Sequence, residues 1–303
     1  MGKLILRRKA GGGGVILCFD IGGARIRAAL SQGGVLEMLG EVATPAADFA
    51  AFVAALQGFA GRKVRGVAIS VAGVVDPASG RIKVANIPCL DGRAVGAELS
   101  AALGLPVLVL NDADCFALAE ARHGAGRGHR SVFGIILGSG VGGGLVIDGQ
   151  LVTGVGGFAG EWGHGPVIRA PLLACACGQQ GCLDTIGGAR GLERLHLHLG
   201  GPALGSHAIV AGWQAGALAE RATVALWLDL VSGLLAMVLN VTGASVVPVG
   251  GGLANAPALI AALDGAVRAR VLRSSTAPWV VVAQISADAG LVGAAVAGGV
   301  AFG

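Results

Sequence analysis

Short apolar runs, each closed by glycine, aspartate or asparagine, recur along this chain of 303 residues. Residues 15–19 form one such run, which ends in Asp20-Ile21-Gly22-Gly23. The apolar pattern resumes at 26–30, so the spacing predicts two strands joined by a glycine turn. Residues 49–56 have helical periodicity, and 64–71 read as a buried strand ending at Ala72-Gly73. A helix-like segment, 95–103, leads to a strand at 107–110 that ends at Asn111-Asp112. A helix over 116–122 follows, for which Asp112 or Asp114 is a suitable N-cap. The second half repeats the plan. A strand at 132–137 runs into Gly138-Ser139-Gly140-Val141-Gly142-Gly143-Gly144, and 145–147 is its return strand. Helical periodicity covers 192–199 and 208–239. A strand at 246–249 enters Gly250-Gly251-Gly252, a last strand lies at 280–283, and an apolar helix spans 289–300.

Both halves therefore open with a strand, a glycine hairpin and a return strand. A duplicated α/β domain with a cleft between its copies brings the two glycine turns face to face. Glycine bias alone, with 55 glycines in the chain, also produces two similar hairpins, and the patterning leaves both readings open. Neither turn is a P-loop, since G-x-x-x-x-G-K-[ST] is absent. The expected organisation is a flexible lead-in over 1–14, an N-terminal lobe over 15–122, a C-terminal lobe over 123–288, and a C-terminal helix over 289–303 packed back on the first lobe.

Composition changes this picture little. The hydrophobic fraction is 54% and the mean hydropathy +0.74, which raises the question of a membrane span. The longest stretch without a charge, 230–263, is interrupted by Asn240, Thr242, Pro248 and the triplet Gly250-Gly251-Gly252. It reads as a buried helix, a strand and a turn rather than one span of about 20 residues. A soluble chain is expected. The net charge of +4 is scattered and no basic stripe is interleaved with aromatics, which argues against a nucleic-acid partner. With no secretion signal and three of six cysteines clustered, a reduced cytoplasm fits better than a disulfide framework.

The chemistry gathers at four places. Backbone N–H groups in a glycine turn approach phosphate oxygens closely, and two such turns suit a polyphosphate. Asp20, at the end of the first strand, is placed to hold Mg²⁺ through water. Asn111-Asp112 sits at the carboxyl end of a strand, where open α/β sheets place ligands, and a carboxylate there can accept a hydroxyl proton during phosphoryl transfer. The segment 160–184 carries His164, Cys175, Cys177 and Cys182. One imidazole and three thiolates complete a tetrahedral Zn²⁺ shell with no open position, so the metal is structural. Glu161 and Asp184 flank the ligand set and are fixed by it, as two acceptors for the hydroxyls of a polyol.

The segments "FDIGGARI", "LNDADCFALAEARHG", "ILGSGVGGGLVIDGQLVTG", "GEWGHGPV", "CACGQQGCLD" and "VGGGLA", in this order, resemble the ROK family of repressors, open reading frames and sugar kinases. The resemblance implies an actin-like, duplicated sugar-kinase ATPase fold with Mg-ATP between two lobes and, commonly, a homodimer. It makes Asp112 the base that deprotonates the sugar hydroxyl. Gly73, Asn86, Asn111, Glu161, His164 and Asp184 become sugar contacts, His164 also being a zinc ligand. Asp20, Gly22, Gly23 and Ala24 form the first phosphate loop, and Gly138, Ser139, Gly140, Gly142 and Gly143 the second. Gly250, Gly251 and Gly252 flank the adenosine. Several positions depart from the family's pattern: Ala24 stands for a Thr, the G-x-P-G loop reads Ser70-Val71-Ala72-Gly73, with Ala72 in the place of the Pro, and Asp184 stands for a sugar-contacting Glu. "VANIP" and its neighbours are most similar to the family's N-acetylglucosamine kinases. The expected reaction is therefore transfer of the ATP γ-phosphoryl to the 6-hydroxyl of N-acetyl-D-glucosamine. Glucokinase or fructokinase activity is the alternative, followed by a ROK-type transcriptional regulator or a sugar-binding protein of weakened activity. The regulator needs a helix-turn-helix region for which 1–14 is too short.

Overall fold

The computed structural model describes residues 3–5, 14–61, 63–285 and 287–303. In the first half the chain forms β1 (Lys3–Ile5), β2 (Ile16–Ile21), β3 (Arg25–Gln32), β4 (Val35–Ala43), α1 (Phe49–Gln57), β5 (Gly66–Val71), β6 (Val74–Val75), β7 (Ile82–Lys83), α2 (Val95–Leu103), β8 (Val107–Asn111) and α3 (Asp112–His123). The second half adds β9 (Ser131–Leu137), β10 (Val141–Ile147), β11 (Gln150–Val152), α4 (Asp184–Gly187), α5 (Ala189–His198), α6 (Ser206–Gln214), α7 (Leu218–Thr242), β12 (Val247–Gly250), α8 (Pro257–Arg268), β13 (Val280–Val282) and α9 (Ala289–Phe302). Of the lead-in expected over 1–14, Lys3–Ile5 pairs antiparallel with β4; residues 1–2 and 6–13 lie outside the described residues.

The two sheets share one topology. The first runs β1-β4-β3-β2-β5-β8 and the second β11-β10-β9-β12-β13. In each, the opening strand pairs antiparallel with its return strand on one side and parallel with the next strand on the other. Glycine bias reproduces hairpins but not a shared strand order and sense, so the halves are copies of one plan. Parallel neighbours require crossovers, which the helices supply.

Two helices sit between the sheets. α3 packs on β9 and β10, while α9 covers β2 and β5 and crosses α3. The crossing is close: a Cβ at Gly293 would lie 2.0 Å from the Cys115 carbonyl oxygen. On the outer face of the first sheet, Leu17, Phe19, Ile69, Phe52 and Leu99 form one core. The second sheet buries Phe133, Ile135 and Val249 against α5 to α8, with Trp227 at the centre donating its indole N–H to the Gly187 carbonyl at 3.1 Å. By length and composition α7 could cross a membrane; its stripe of Val224, Trp227, Val231, Leu235 and Leu239 is buried in this core.

Several predicted boundaries move, each for a local reason. The helical periodicity over 208–239 covers two helices, because Gly216 adopts φ +88° and breaks the chain between α6 and α7. The second glycine turn is shorter than expected. β10 begins at Val141, and Gly142, Gly143 and Gly144 lie inside it. At Gly144 a Cβ would lie 2.9 Å from both the Ala113 carbonyl and the Ala117 methyl, so small residues there serve the approach of α3.

Candidate active site

α3 begins one residue after β8, and its cap differs from both predicted ones. Asn111 is the N-cap: its Oδ1 accepts from the Ala113 and Asp114 amides at 2.7 and 3.2 Å, and its Nδ2 donates to the Gly73 carbonyl at 3.0 Å. Asp112, the first helical residue, is thereby released from capping. It faces a cavity of about 380 Å³ between the two sheets, walled by Gly73, Asn111, Gly138, Ser139, Gly140, Gly142, Glu161 and Asp184. Burial pushes the Asp112 carboxyl up to about 6, against the Ala113 N–H, with Asp20 and Glu161 adding to the rise. Asp114 is a further acid nearby, one to which the sequence assigns only a capping role. Burial, then Glu161 and Asp112, lift it to about 7. Glu161 is also raised, chiefly by burial; the His164 imidazole pulls it down and Asp184 pushes it up.

The turn between β9 and β10 forms one wall. The Gly138 N–H donates to the Gly140 carbonyl at 3.1 Å, and the Ala189 N–H to the Gly138 carbonyl at 2.7 Å. Asp184 Oδ1 accepts the Val141 N–H at 2.8 Å. Gly143, predicted to meet phosphate, is covered by Trp162: a Cβ there would lie 2.7 Å from the indole, whose N–H donates to the Gly142 carbonyl at 3.0 Å.

The first turn lies apart from that cavity. Neither Asp20, Gly22, Gly23, Ala24 nor Asn86 lines it; Val84 and Ala85, the two residues before Asn86, do. Asn86 packs on Gly23, whose Cβ position lies 3.3 Å from the Asn86 side chain. The hydroxyl missing at Ala24 has a neighbour in Thr44, whose Oγ1 donates to the Gly22 carbonyl at 2.7 Å. Asp20 is held by Arg27, whose Nη2 donates to Asp20 Oδ2 at 2.6 Å while Nη1 donates to Asp288 Oδ1 at 2.9 Å. No motif or spacing in the sequence marks Arg27 or Asp288. Arg27 lies seven residues from Asp20 on the antiparallel partner strand, a register only the structure supplies.

A second cavity, about 230 Å³, opens between α6 and the turn after β12 and is lined by Gly252, Leu253, Asn255, Ser206 and His207 among others. Gly251 backs onto Leu137 and Gly138: its Cβ position is 2.6 Å from the Gly138 nitrogen. The Gly138 to Gly140 turn therefore stands between the two cavities.

His164, Cys175, Cys177 and Cys182 converge, their ligand atoms all within 4.8 Å of one another. Cys175 Sγ lies 3.7 Å from His164 Nδ1, and Cys177 Sγ lies 3.6 Å from Cys182 Sγ. Ligand atoms around a tetrahedral Zn²⁺, at about 2.0–2.3 Å each, are separated by about 3.5–3.8 Å, so the cluster fits such an ion. His164 Nε2 faces the other way, 3.8 Å from Glu161 Oε2.

A duplicated α/β fold, with a glycine turn from each copy and an acid at the head of the central helix, defines the actin-like ATPase class. Residues 16–297 match the ROK family, and the chain belongs to it. It is 34% identical to the N-acetylgalactosamine kinase AgaK of Shewanella sp. (strain ANA-3), over 92% of this chain and 95% of that one. It is 36% identical to the N-acetyl-D-glucosamine kinase of Pasteurella multocida, over 76% of this chain and 79% of the other. Among solved structures, the ROK hexokinase of Thermus thermophilus superposes with a TM-score of 0.82 at 31% identity, covering 93% of this chain and 97% of that chain.

Proposed function

We propose that this protein transfers the γ-phosphoryl group of ATP to the 6-hydroxyl of a hexose, N-acetyl-D-glucosamine being the assigned substrate. The observation that carries the reading is Asp112. It is freed from capping by Asn111, raised by burial and aimed into a cavity whose far wall is a glycine turn. Above about pH 7 its carboxylate is largely ionised and accepts the proton of the attacking hydroxyl as the phosphoryl group arrives; catalysis in such a site is mainly positioning and charge stabilisation. Asn111, Gly73 and Glu161 orient the hydroxyls around it. The γ-phosphate belongs on the Gly138–Gly140 turn, facing the hydroxyl beside Asp112, with the base and ribose in the cavity beside Gly252 on the far side of that turn.

Mg²⁺ bound with ATP neutralises phosphate charge. Asp20 suits it through water only, since its Oδ2 is engaged by Arg27 and Mg²⁺ keeps most of its hydration shell. Zn²⁺ suits the four clustered ligands and leaves no coordination site for substrate, so its service is to hold the loop that carries Glu161 and His164. The reading extends to a homodimer in a reduced cytoplasm, with neither nucleic acid nor membrane as partner; light scattering after size exclusion tests the dimer.

The name of the Shewanella relative favours one second substrate, the 4-epimer N-acetyl-D-galactosamine. A coupled ADP assay over N-acetylglucosamine, N-acetylgalactosamine, N-acetylmannosamine, glucose, fructose and mannose separates these readings. ADP release is expected to be fastest with N-acetylglucosamine and to vanish in Asp112→Asn. Release that is sugar-independent, or that survives in Asp112→Asn, sinks the proposal.

A further inference from the structure

Asp184 occupies the position where the family's pattern has a sugar-binding Glu, and although it borders the cavity that Asp112 faces, its carboxylate is engaged by the protein itself. It follows Cys182 by two residues and heads α4, its backbone N–H donating to the Gly163 carbonyl at 2.8 Å beside His164. Its Oδ1 accepts the Val141 N–H at 2.8 Å. The same oxygen fills the space next to Gly140, lying 2.3 Å from where a Cβ on that residue would be. Its Oδ2 lies 3.9 Å from Cys175 Sγ. The chain just beyond makes two further attachments to the same turn. Gly188 packs on the Gly140 carbonyl, with 2.6 Å between that oxygen and the glycine's Cβ position, and the Ala189 N–H donates to the Gly138 carbonyl.

We propose that Asp184 is a positioning residue for the phosphate-binding turn rather than a sugar ligand, joining the Cys/His cluster to the backbone that receives the nucleotide. The inference rests on the kinase reading above. The chemistry follows from side-chain length. With one methylene between Cα and carboxyl, Asp184 meets the Val141 amide directly, and a carboxylate on a backbone N–H is a charge-assisted hydrogen bond. That bond fixes Val141 at the point where the turn becomes β10, and with it the direction in which the Ser139 and Gly140 amides point. Gly140 is required by the same contact, because any side chain there meets the carboxylate. Sugar affinity is left to Asn111, Gly73 and Glu161, while the metal cluster acts on the nucleotide side of the cleft through Asp184.

Calorimetric titration of wild type, Asp184→Ala, Asp184→Asn and Gly140→Ala tests this, with N-acetylglucosamine alone and with a non-hydrolysable ATP analogue plus Mg²⁺. Loss of one charge-assisted bond is expected to weaken the analogue by about tenfold or more in Asp184→Ala and Gly140→Ala, with sugar affinity held within about twofold. Asp184→Asn keeps an acceptor for Val141 and is expected to hold both affinities within about threefold of wild type. Should Asp184→Ala fail to fold, the Asn and Gly140 variants decide. A tenfold loss of sugar affinity in Asp184→Ala or Asp184→Asn, or unchanged nucleotide affinity in Gly140→Ala, overturns the proposal. Wild type that binds the analogue but no hexose overturns the substrate assignment and leaves the nucleotide comparison to judge Asp184. Wild type that binds neither ligand overturns both.

Discussion

Asp112 shows how one side chain becomes a base through its neighbour. The dipeptide Asn111-Asp112 was visible in the sequence as a strand end, but which residue capped the helix was not, because Asn and Asp cap almost equally well. The structure assigns the cap to Asn111, whose Nδ2 also ties down Gly73, and so leaves the Asp112 carboxylate to the cavity. Two predictions belong to this residue. Since burial lifts its pKa to about 6 and only the ionised form accepts a proton, kcat/KM should rise with pH, reach half its limit at about 6 and level off above about 7. A pH-rate profile that is flat from pH 5 to 8 rules this out. Stability runs the opposite way. A carboxyl whose folded-state pKa is raised is favoured in its acid form; that contribution is complete below the ordinary carboxylate range and lost as pH rises through about 6. Asp112→Asn should therefore leave stability nearly unchanged at pH 4 and raise it by about 1–2 kcal/mol at pH 8, while abolishing turnover. Urea melts at the two pH values measure the difference.

At the scale of elements, legibility followed burial. The strands at 15–19, 64–71 and 132–137 were readable because both faces are covered, giving unbroken apolar runs. β4 was missed: Glu37, Gly40 and Glu41 interrupt its pattern because the strand is half exposed. The glycines of β10 were read as turn because the reason for them is the approach of α3, a tertiary fact. Arg27 is of the same kind. Its guanidinium joins Asp20 at the end of β2 to Asp288 just before α9, so one side chain fixes the first turn against the helix that covers the sheet. Removing it strands two carboxylates about one guanidinium apart, each less than 40% exposed at 23% and 35%. Arg27→Met is expected to cost about 1–2 kcal/mol, discounted for partial exposure, and to raise the KM for ATP more than that for sugar; Arg27→Lys should recover only part of both, lacking the fork that reaches two acids. Equal rises in the two KM values would contradict the placement of Asp20 on the nucleotide side.

For the molecule as a whole, the duplication was half legible: two hairpins with glycine turns suggested it, and the shared strand order established it. What no local pattern carried is how the halves are joined. The last helix covers β2 and β5 in the first sheet, while α3, which leaves that sheet, lies on β9 and β10 in the second. Each half thus completes its core with an element from the far side of the chain, and α3 and α9 meet at Gly293 with backbone in contact. Unfolding either half exposes the apolar face of the other, so the two should melt together. Scanning calorimetry is expected to give one transition with calorimetric and van't Hoff enthalpies in agreement. N-acetylglucosamine at a hundredfold excess over its dissociation constant should move that single transition upward by the linkage term of about 2.7 kcal/mol. Gly293→Ala places a methyl into the Cys115 backbone and should cost about 1–3 kcal/mol by forcing the two helices apart. Because the crossing serves both halves, the substitution is expected to lower the one transition rather than split it. Two resolved peaks, with only one of them sensitive to sugar, would show instead that the halves are stable separately and that the interlocked helices add little.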